Sequence, residues 1–518
     1  MDTPEASRRK GGSIGRIALW RRNWALGLLA VAVSSHDPAH LAASEGLRLA
    51  VFSADVTPPI GSPVAYAPVR SVTDPLFAKG LVLLGADDPI VLCAVDFIAI
   101  SNEGHDAWRE SLAKAAGTPR ERVAVQVLHQ HDGARCDFGA EALAESAGLG
   151  GKRQDNAFQS HAIESVSAAL RRSLGMARPV THLGTGKALV EKIASNRRIL
   201  GPDGKVAIAR SSSYRIPEPI LSRLIESARQ QGYELSATRL EEALAAPEGV
   251  IDPELKMVTF YDHHDPVVSL SYYATHPQSF FGQGDVTSEF VGLARARFEN
   301  DRGGIPLIHF TGGGGNVAAG KYNDGTPESR VRLTDRLADA MRRAWAATVR
   351  EPLEAAAVDW RVVPVSLPVP VHLDEAVLGN VLQDTSLPET QRLAATGKLA
   401  YLRRVKSGHR IDLTALWLGN VRLLHFPAEL FVEYQLAAQE KFPGNFVCMA
   451  AYGDGGPGYI GTEIAYAEGG YETQPSSSNV APEVEGVLME ALVRLLEDSE
   501  SPSRRDQGSS AETPEKNP

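Results

Sequence analysis

The chain has 518 residues, more than one ordinary hydrophobic core holds, so two domains or one large two-lobed α/β unit is expected. A net charge of −10 without a basic stripe in the body excludes the nucleic-acid binders, which need clustered Lys and Arg. Three cysteines (Cys93, Cys136, Cys448) and no CxxC pair exclude a disulfide scaffold and the thiolate zinc classes.

The amino terminus reads as an export leader. Arg8, Arg9, Lys10, Arg16, Arg21 and Arg22 make a basic region, and residues 24–33 (WALGLLAVAV) form an apolar stretch too short to span a bilayer. Ala39, Ala42 and Ala43 offer cleavage positions, and Arg21-Arg22-Asn23-Trp24 is a twin-arginine candidate. Export to the periplasm or the exterior is expected. Residues 1–45 are assigned to this leader, 46–498 to the folded body (lobes of about 46–350 and 351–498), and 499–518, which lack apolar periodicity, to a disordered tail.

Strands are predicted at 47–55, 80–84 and 90–98, the last two joined by a hairpin turn at 85–89, and a helix at 104–116. Residues 123–132 (VAVQVLHQHD) alternate like a strand and end in His129 and His131. Side chains two apart on a strand share a face, so both imidazoles are expected to project together. An amphipathic helix follows at 156–174, then helical runs at 221–231 and 238–246 in what reads as a surface excursion. Strands at 257–261 and 267–273 flank Asp262-His263-His264-Asp265, a turn that keeps this histidine pair exposed. The second strand ends in Thr275-His276-Pro277. A helix is predicted at 289–300, capped by Thr287 or Ser288. Two separate strands ending in histidine, in a chain with 14 of them, point to a metal held at strand ends. The fold class is α/β, with a mixed β-sheet core flanked by helices.

A strand at 305–311 runs into Gly312–Gly315 and then Gly320-Lys321-Tyr322. The GxxxxGK spacing matches a phosphate loop, but Tyr322 stands where magnesium binding needs Ser or Thr, and no apolar helix follows. The glycines are read instead as allowing close backbone approach to a site. A helix at 330–349, strands within 355–371, helices through 404 and strands at 412–418, 420–426 and 445–451 complete the body. The last two strands are followed by Pro427-Ala428-Glu429 and by a glycine-rich run to Tyr459, so acidic and phenolic groups also lie just past strand ends, where α/β sheets bind ligands.

Taken in order, SADVTPPIG (53–61), VLHQHDG (127–133), SNRR (195–198), YYATHP (272–277), FPAELFVEY (426–434) and GYIGTEIAYAEGGYE (458–472) resemble the neutral/alkaline non-lysosomal ceramidase family, across nearly the whole body. The resemblance implies a zinc-dependent amidase that cleaves the N-acyl bond of ceramide, with one Zn²⁺ per chain. It implies His129, His276, Glu429 and Tyr459 as ligands and His131 as a proton-transfer residue. It also implies Arg197 or Arg198 as the site arginine and Tyr471 as a group polarising the scissile carbonyl. Asp55, Asp96, Asp132, Asp285 and Glu289, or backbone carbonyls, are the candidates for orienting the imidazoles. The partners implied are a lipid amide or a small N-acyl substrate and a membrane surface.

Several positions depart from the family. Gly315-Asn316-Val317-Ala318-Ala319 replaces a segment that carries Ser in some members, which favours attack by water. Gln130 stands for the usual Thr and Asp132 for a Ser, and the chain is too short for the family's carboxyl-terminal β-sandwich. Two other readings stay open: a metal-dependent esterase or amidase acting on a non-ceramide substrate, and an exported lipid- or glycan-binding protein without chemistry.

Overall fold

The structure, a computed structural model, describes residues 46–218 and 220–497. The expected leader, its twin-arginine candidate and the tail lie outside the described residues. Three sheets dominate. The first contains β1 (Arg48–Asp55), β2 (Phe77–Leu84), β3 (Ile90–Val95) and β4 (Val123–Val127), ordered β4-β3-β2-β1, with a short strand Arg178–Pro179 beyond β1. Every residue of β3 and β4 is buried, because β3–β4 is a parallel pair covered on both faces. The second sheet contains β5 (His182–Leu189), β6 (Glu254–Asp262), β7 (Asp265–Tyr273) and β8 (Leu307–Thr311), ordered β8-β7-β6-β5 with Val349–Pro352 at the edge. The third contains β9 (Val358–Val365), β10 (Ile411–Leu418), β11 (Val421–His425) and β12 (Phe446–Ala450), in that order. The mixed α/β class is as expected: antiparallel and parallel pairs coexist in each sheet, and helices cover them.

The parallel pairs β3–β4, β7–β8 and β11–β12 each lie at one edge of a sheet, and these edges meet. The join is polar and fully paired. Buried Gln126, on β4, donates to the carbonyls of Phe426 (3.0 Å), Ala450 (3.0 Å) and Ala451 (3.1 Å). The Val127 amide donates to Tyr452 O (2.9 Å), Ala451 N to Thr311 O (2.9 Å) and Thr311 Oγ1 to Leu128 O (2.9 Å). The carboxyl ends of all three sheets are thereby brought to one place. Apolar residues from before and after position 350, such as Val95, Val125, Leu413 and Met449, share one core. Helix Asn156–Leu174, capped by the Asp155 side chain, matches its predicted span, and His263–His264 form the β6–β7 turn, with His263 exposed.

A buried ion pair fastens the loop after β12. Asp454 accepts from Arg404 Nη1 (2.9 Å), Asn102 N (2.8 Å) and Gly456 N (2.9 Å), and Arg404 also reaches Asp106 (2.6 Å). Burial would raise the Asp454 carboxyl, but the Arg404 charge, with His105 and the Gly456 amide, holds it below the usual range. Asp454→Asn leaves Asp106 as the one carboxylate paired with Arg404, which also contacts the His409 ring (2.7 Å), and a loss of about 3 kcal/mol in urea-unfolding stability is expected at neutral pH. The depressed folded value means this stabilisation is present above the unfolded pKa of about 3.9 and is lost as acid takes the pH down through the folded value. The gap between wild type and variant should therefore narrow in acid; an unchanged urea midpoint at neutral pH would contradict the assignment.

Candidate metal centre

The site is built from segments that leave the carboxyl ends of β4, β7, β11 and β12. β4 stops at Val127, two residues short of His129, so strand alternation does not carry the two histidines to one face as expected. His129 instead has a left-handed backbone (φ 71°), a conformation that persists only where its surroundings over-determine it. Here its amide donates to Phe97 O (2.9 Å), its Nδ1 lies 2.7 Å from Ile98 O, and its ring stacks on Tyr452 with centroids 4.6 Å apart. Tyr452 (φ 61°) and Ala428 (φ 59°) are left-handed too, so three bent backbones surround one point. The His131 ring lies edge-on to that of His129 at 5.0 Å.

His276 follows β7 and is almost wholly buried, with its amide on Val317 O (2.8 Å) and its Nδ1 2.7 Å from Gly314 O. A carbonyl can only accept, so both Nδ1 atoms carry the proton and both Nε2 lone pairs face inward. Glu429 and Tyr459 are direct partners in a parallel pair of two-residue strands, Glu429–Leu430 with Tyr459–Ile460, so their side chains lie side by side. Glu429 Oε2 lies 3.2 Å from His129 Nε2 and 3.2 Å from His276 Nε2, and Tyr459 Oη is 3.3 Å from His276 Nε2.

These residues fit a metal ion. One ring nitrogen from each of His129, His131 and His276 lies within 4.8 Å of the other two. His129 Nε2 and Glu429 Oε2 are buried without a hydrogen-bond partner, a costly state for polar atoms that a bound cation removes. Burial, aided by the neighbouring imidazoles, pushes His131 well below its ordinary value, and burial also lowers His276, so both are neutral. Burial, then the Glu429 charge, pushes the Tyr459 phenol well up. Two neutral imidazoles and a carboxylate are a donor set suited to zinc.

The two arginines take opposite directions. Arg197 Nη1 donates to Tyr459 Oη (3.1 Å), and its guanidinium lies 5.8 Å from the Tyr459 ring centre and 5.3 Å from that of Tyr471. Arg198 points away, to Glu468 (3.1 Å), the Ala465 carbonyl (2.9 Å) and the Phe431 ring. Buried Glu472 joins them, at 3.2 Å from Arg197 Nε and 3.3 Å from Arg198 Nη1. Tyr471 packs edge-on against Tyr459 at 5.7 Å. The structure thus brings His129, His131, His276, Glu429, Tyr459, Arg197 and Tyr471 together and turns Arg198 outward.

Carbonyls, not carboxylates, orient the two imidazoles. Asp96 is bound to Arg295 (2.6 and 2.8 Å), Asp132 accepts from Gln283 N and Gly284 N (3.1 and 3.3 Å), and Asp285 pairs with Arg70 (2.7 Å). Glu289 pairs with Ser279 (2.5 Å) and Asp55 with the Thr57 amide (2.8 Å). The glycine run works by close approach, as read from the sequence. Gly314 supplies the carbonyl for His276, and a Cβ on Gly315 would overlap the carbonyl oxygen of Glu429. Lys321 is occupied by the Leu244 carbonyl (2.6 Å), which removes the phosphate-loop reading of its side chain. Tyr452 and Glu472 were not singled out by sequence: Tyr452 is one more aromatic after a strand, and Glu472 only closes a motif run.

No protein-family model and no curated protein matches the chain. Solved structures do. "Crystal Structure Analysis of neutral ceramidase from Pseudomonas aeruginosa" superimposes with a TM-score of 0.58 at 17% identity, covering 87% of this chain and 74% of that one. "Ceramidase complexed with C2" gives 0.56 at 16% identity, with the same coverages. The fold is that of the neutral ceramidases.

Proposed function

We propose that this chain is a zinc-dependent hydrolase of N-acyl amide bonds, with a lipid amide as substrate class. The observation that carries the reading is the Glu429 carboxylate oxygen, 3.2 Å from two buried imidazole nitrogens whose lone pairs are aimed at it. The neutral ceramidase fold and a neighbour described as complexed with C2 support the choice of substrate class. His129, His276, Glu429 and Tyr459 would hold the ion. Zinc bound there acts as a Lewis acid and lowers the pKa of a bound water to about 7.

The chain's own groups supply the remaining requirements of amide hydrolysis. His131, neutral and beside the ligand imidazoles, takes the proton of the attacking water through Nε2 and returns it to the leaving amine. Arg197 and Tyr471 face the developing oxyanion from one side. Burial would lower Arg197, but Tyr459, Glu472 and Tyr471 raise it, so it stays charged throughout. Ala318 and Ala319 offer no nucleophile, which favours attack by water. Among the described residues no helix is long and apolar enough to cross a membrane.

The test is hydrolysis of an N-acyl sphingosine and of short N-acyl amines by the purified full chain, before and after removal of metal by a chelator and re-addition of zinc. Release of the free amine that disappears on chelation and returns with zinc is expected. Turnover that ignores chelation would remove the metal from the reading, and absence of amine release from every substrate would remove the amidase.

A further inference from the structure

Residues 61–69 form a tight turn over the site. It is closed by Gly61 N to Val69 O (2.8 Å), Val69 N to Ser62 O (2.9 Å) and Val64 N to Ala67 O (3.1 Å), and Pro63 and Pro68 face each other across it. Proline fixes φ on both sides, which stiffens the turn. It is fastened to the segment that bears His131. The Ala65 amide donates to Gly133 O (3.2 Å), and Arg135 Nη2 donates to Ala65 O (2.7 Å).

The tip of this turn is Tyr66. Its ring is half exposed, yet its hydroxyl is turned inward and lies 2.6 Å from Nδ1 of His131. Burial of that end pushes the phenol above its ordinary value, so it is a neutral hydroxyl, able to accept or donate. On the other side of the imidazole, Nε2 is buried without a partner. A neutral imidazole carries one ring proton, and the partner of one nitrogen decides which atom holds it. Backbone carbonyls make that choice for His129 and His276. For His131 the Nδ1 partner is a side chain held on a separate, braced turn.

We propose that Tyr66 is the positioning residue of His131: its oxygen accepts the Nδ1–H, so Nε2 is left as a bare acceptor facing the reacting centre. The catalytic consequence rests on the hydrolase reading above; the tautomer assignment does not. Removing a group that orients an imidazole in this way typically costs about 10- to 100-fold.

Tyr66→Phe deletes one oxygen and keeps the ring, and its effect is read in two independent ways. The first is ¹⁵N NMR of histidine-labelled full chain, with the His131 signals assigned by their loss in His131→Ala. Wild type should show His131 with Nδ1 protonated and Nε2 bare, and Tyr66→Phe should show a mixture of tautomers or the reverse one. The same tautomer in both proteins, or a protonated Nε2 in wild type, overturns the proposal. The second is kinetic. Tyr66→Phe should lower kcat about 10- to 100-fold with KM and zinc content unchanged, and should lower nothing further when added to His131→Ala. An equal loss in both backgrounds means that Tyr66 acts elsewhere and overturns the proposal. A wild type that releases no amine from any substrate removes the hydrolase reading alone, and the NMR arm still decides Tyr66.

Discussion

His276→Ala is expected to abolish stoichiometric zinc binding and to reduce amide hydrolysis to background. The ring is almost wholly buried and contributes two things at once. Its Nε2 is one of the two nitrogens 3.2 Å from Glu429 Oε2, and its Nδ1 ties the site to the glycine run at Gly314 O. Removal leaves His129 and Glu429 with Tyr459, whose phenol is pushed well up by burial and by the Glu429 charge and so does not readily replace an imidazole. Metal analysis of the purified variant beside His129→Ala is the direct measurement, and circular dichroism separates loss of ion from loss of fold. A full equivalent of zinc retained in both variants would exclude this centre.

Arg197→Lys is expected to lower kcat about 100- to 1,000-fold while zinc content stays at wild-type level. Lysine keeps the charge but loses the planar fork with which Arg197 reaches Tyr459 Oη (3.1 Å) and Glu472 (3.2 Å) while lying against two tyrosine rings. Arg198→Lys is the matched control. That side chain is turned to Glu468 and Phe431, so the change should appear in stability and leave kcat within a few-fold. Equal kcat losses in the two variants would mean that the arginine acts through the shared Glu472 rather than at the substrate. Each rate is to be measured at saturating substrate with zinc content determined on the same sample.

Much of the centre was legible as residue types at strand ends. The hydrophobic runs of β3, β4, β7 and β11 announce buried strands, and histidine or glutamate a few residues beyond β4, β7 and β11 announces polar groups at their carboxyl ends. The way in which His129 and His131 come together was not legible. The run VAVQVLHQHD alternates to its last residue, so periodicity alone extends the strand through both histidines. The chain leaves the strand at Val127 because that residue's amide pairs with Tyr452 O and the next two pair with Val95 O and Phe97 O. None of those partners can be inferred from local pattern. The difference between Arg197 and Arg198 was hidden for a related reason. Adjacent residues in extended chain face opposite ways, but which way is set by the partner strand, here the pairing of Asn196 with Val317. Tyr66 had no local signal at all; only the turn's seat against Gly133 and Arg135 brings its hydroxyl to His131.

The sequence by itself determined the α/β class, the positions of most elements, the absence of a disulfide framework and the residue types available as ligands, since these follow from local periodicity and composition. Only the tertiary structure decided that three sheet edges meet, that carbonyls rather than carboxylates orient the two ligand imidazoles, and that one arginine and two unforeseen tyrosines, Tyr66 and Tyr452, face the site. The physical reason is range: hydrophobic patterning acts over a few residues. The Nε2 lone pairs of His129 and His276 are aimed by carbonyls 31 and 38 positions away, and the oxygen they face comes from Glu429 on another sheet.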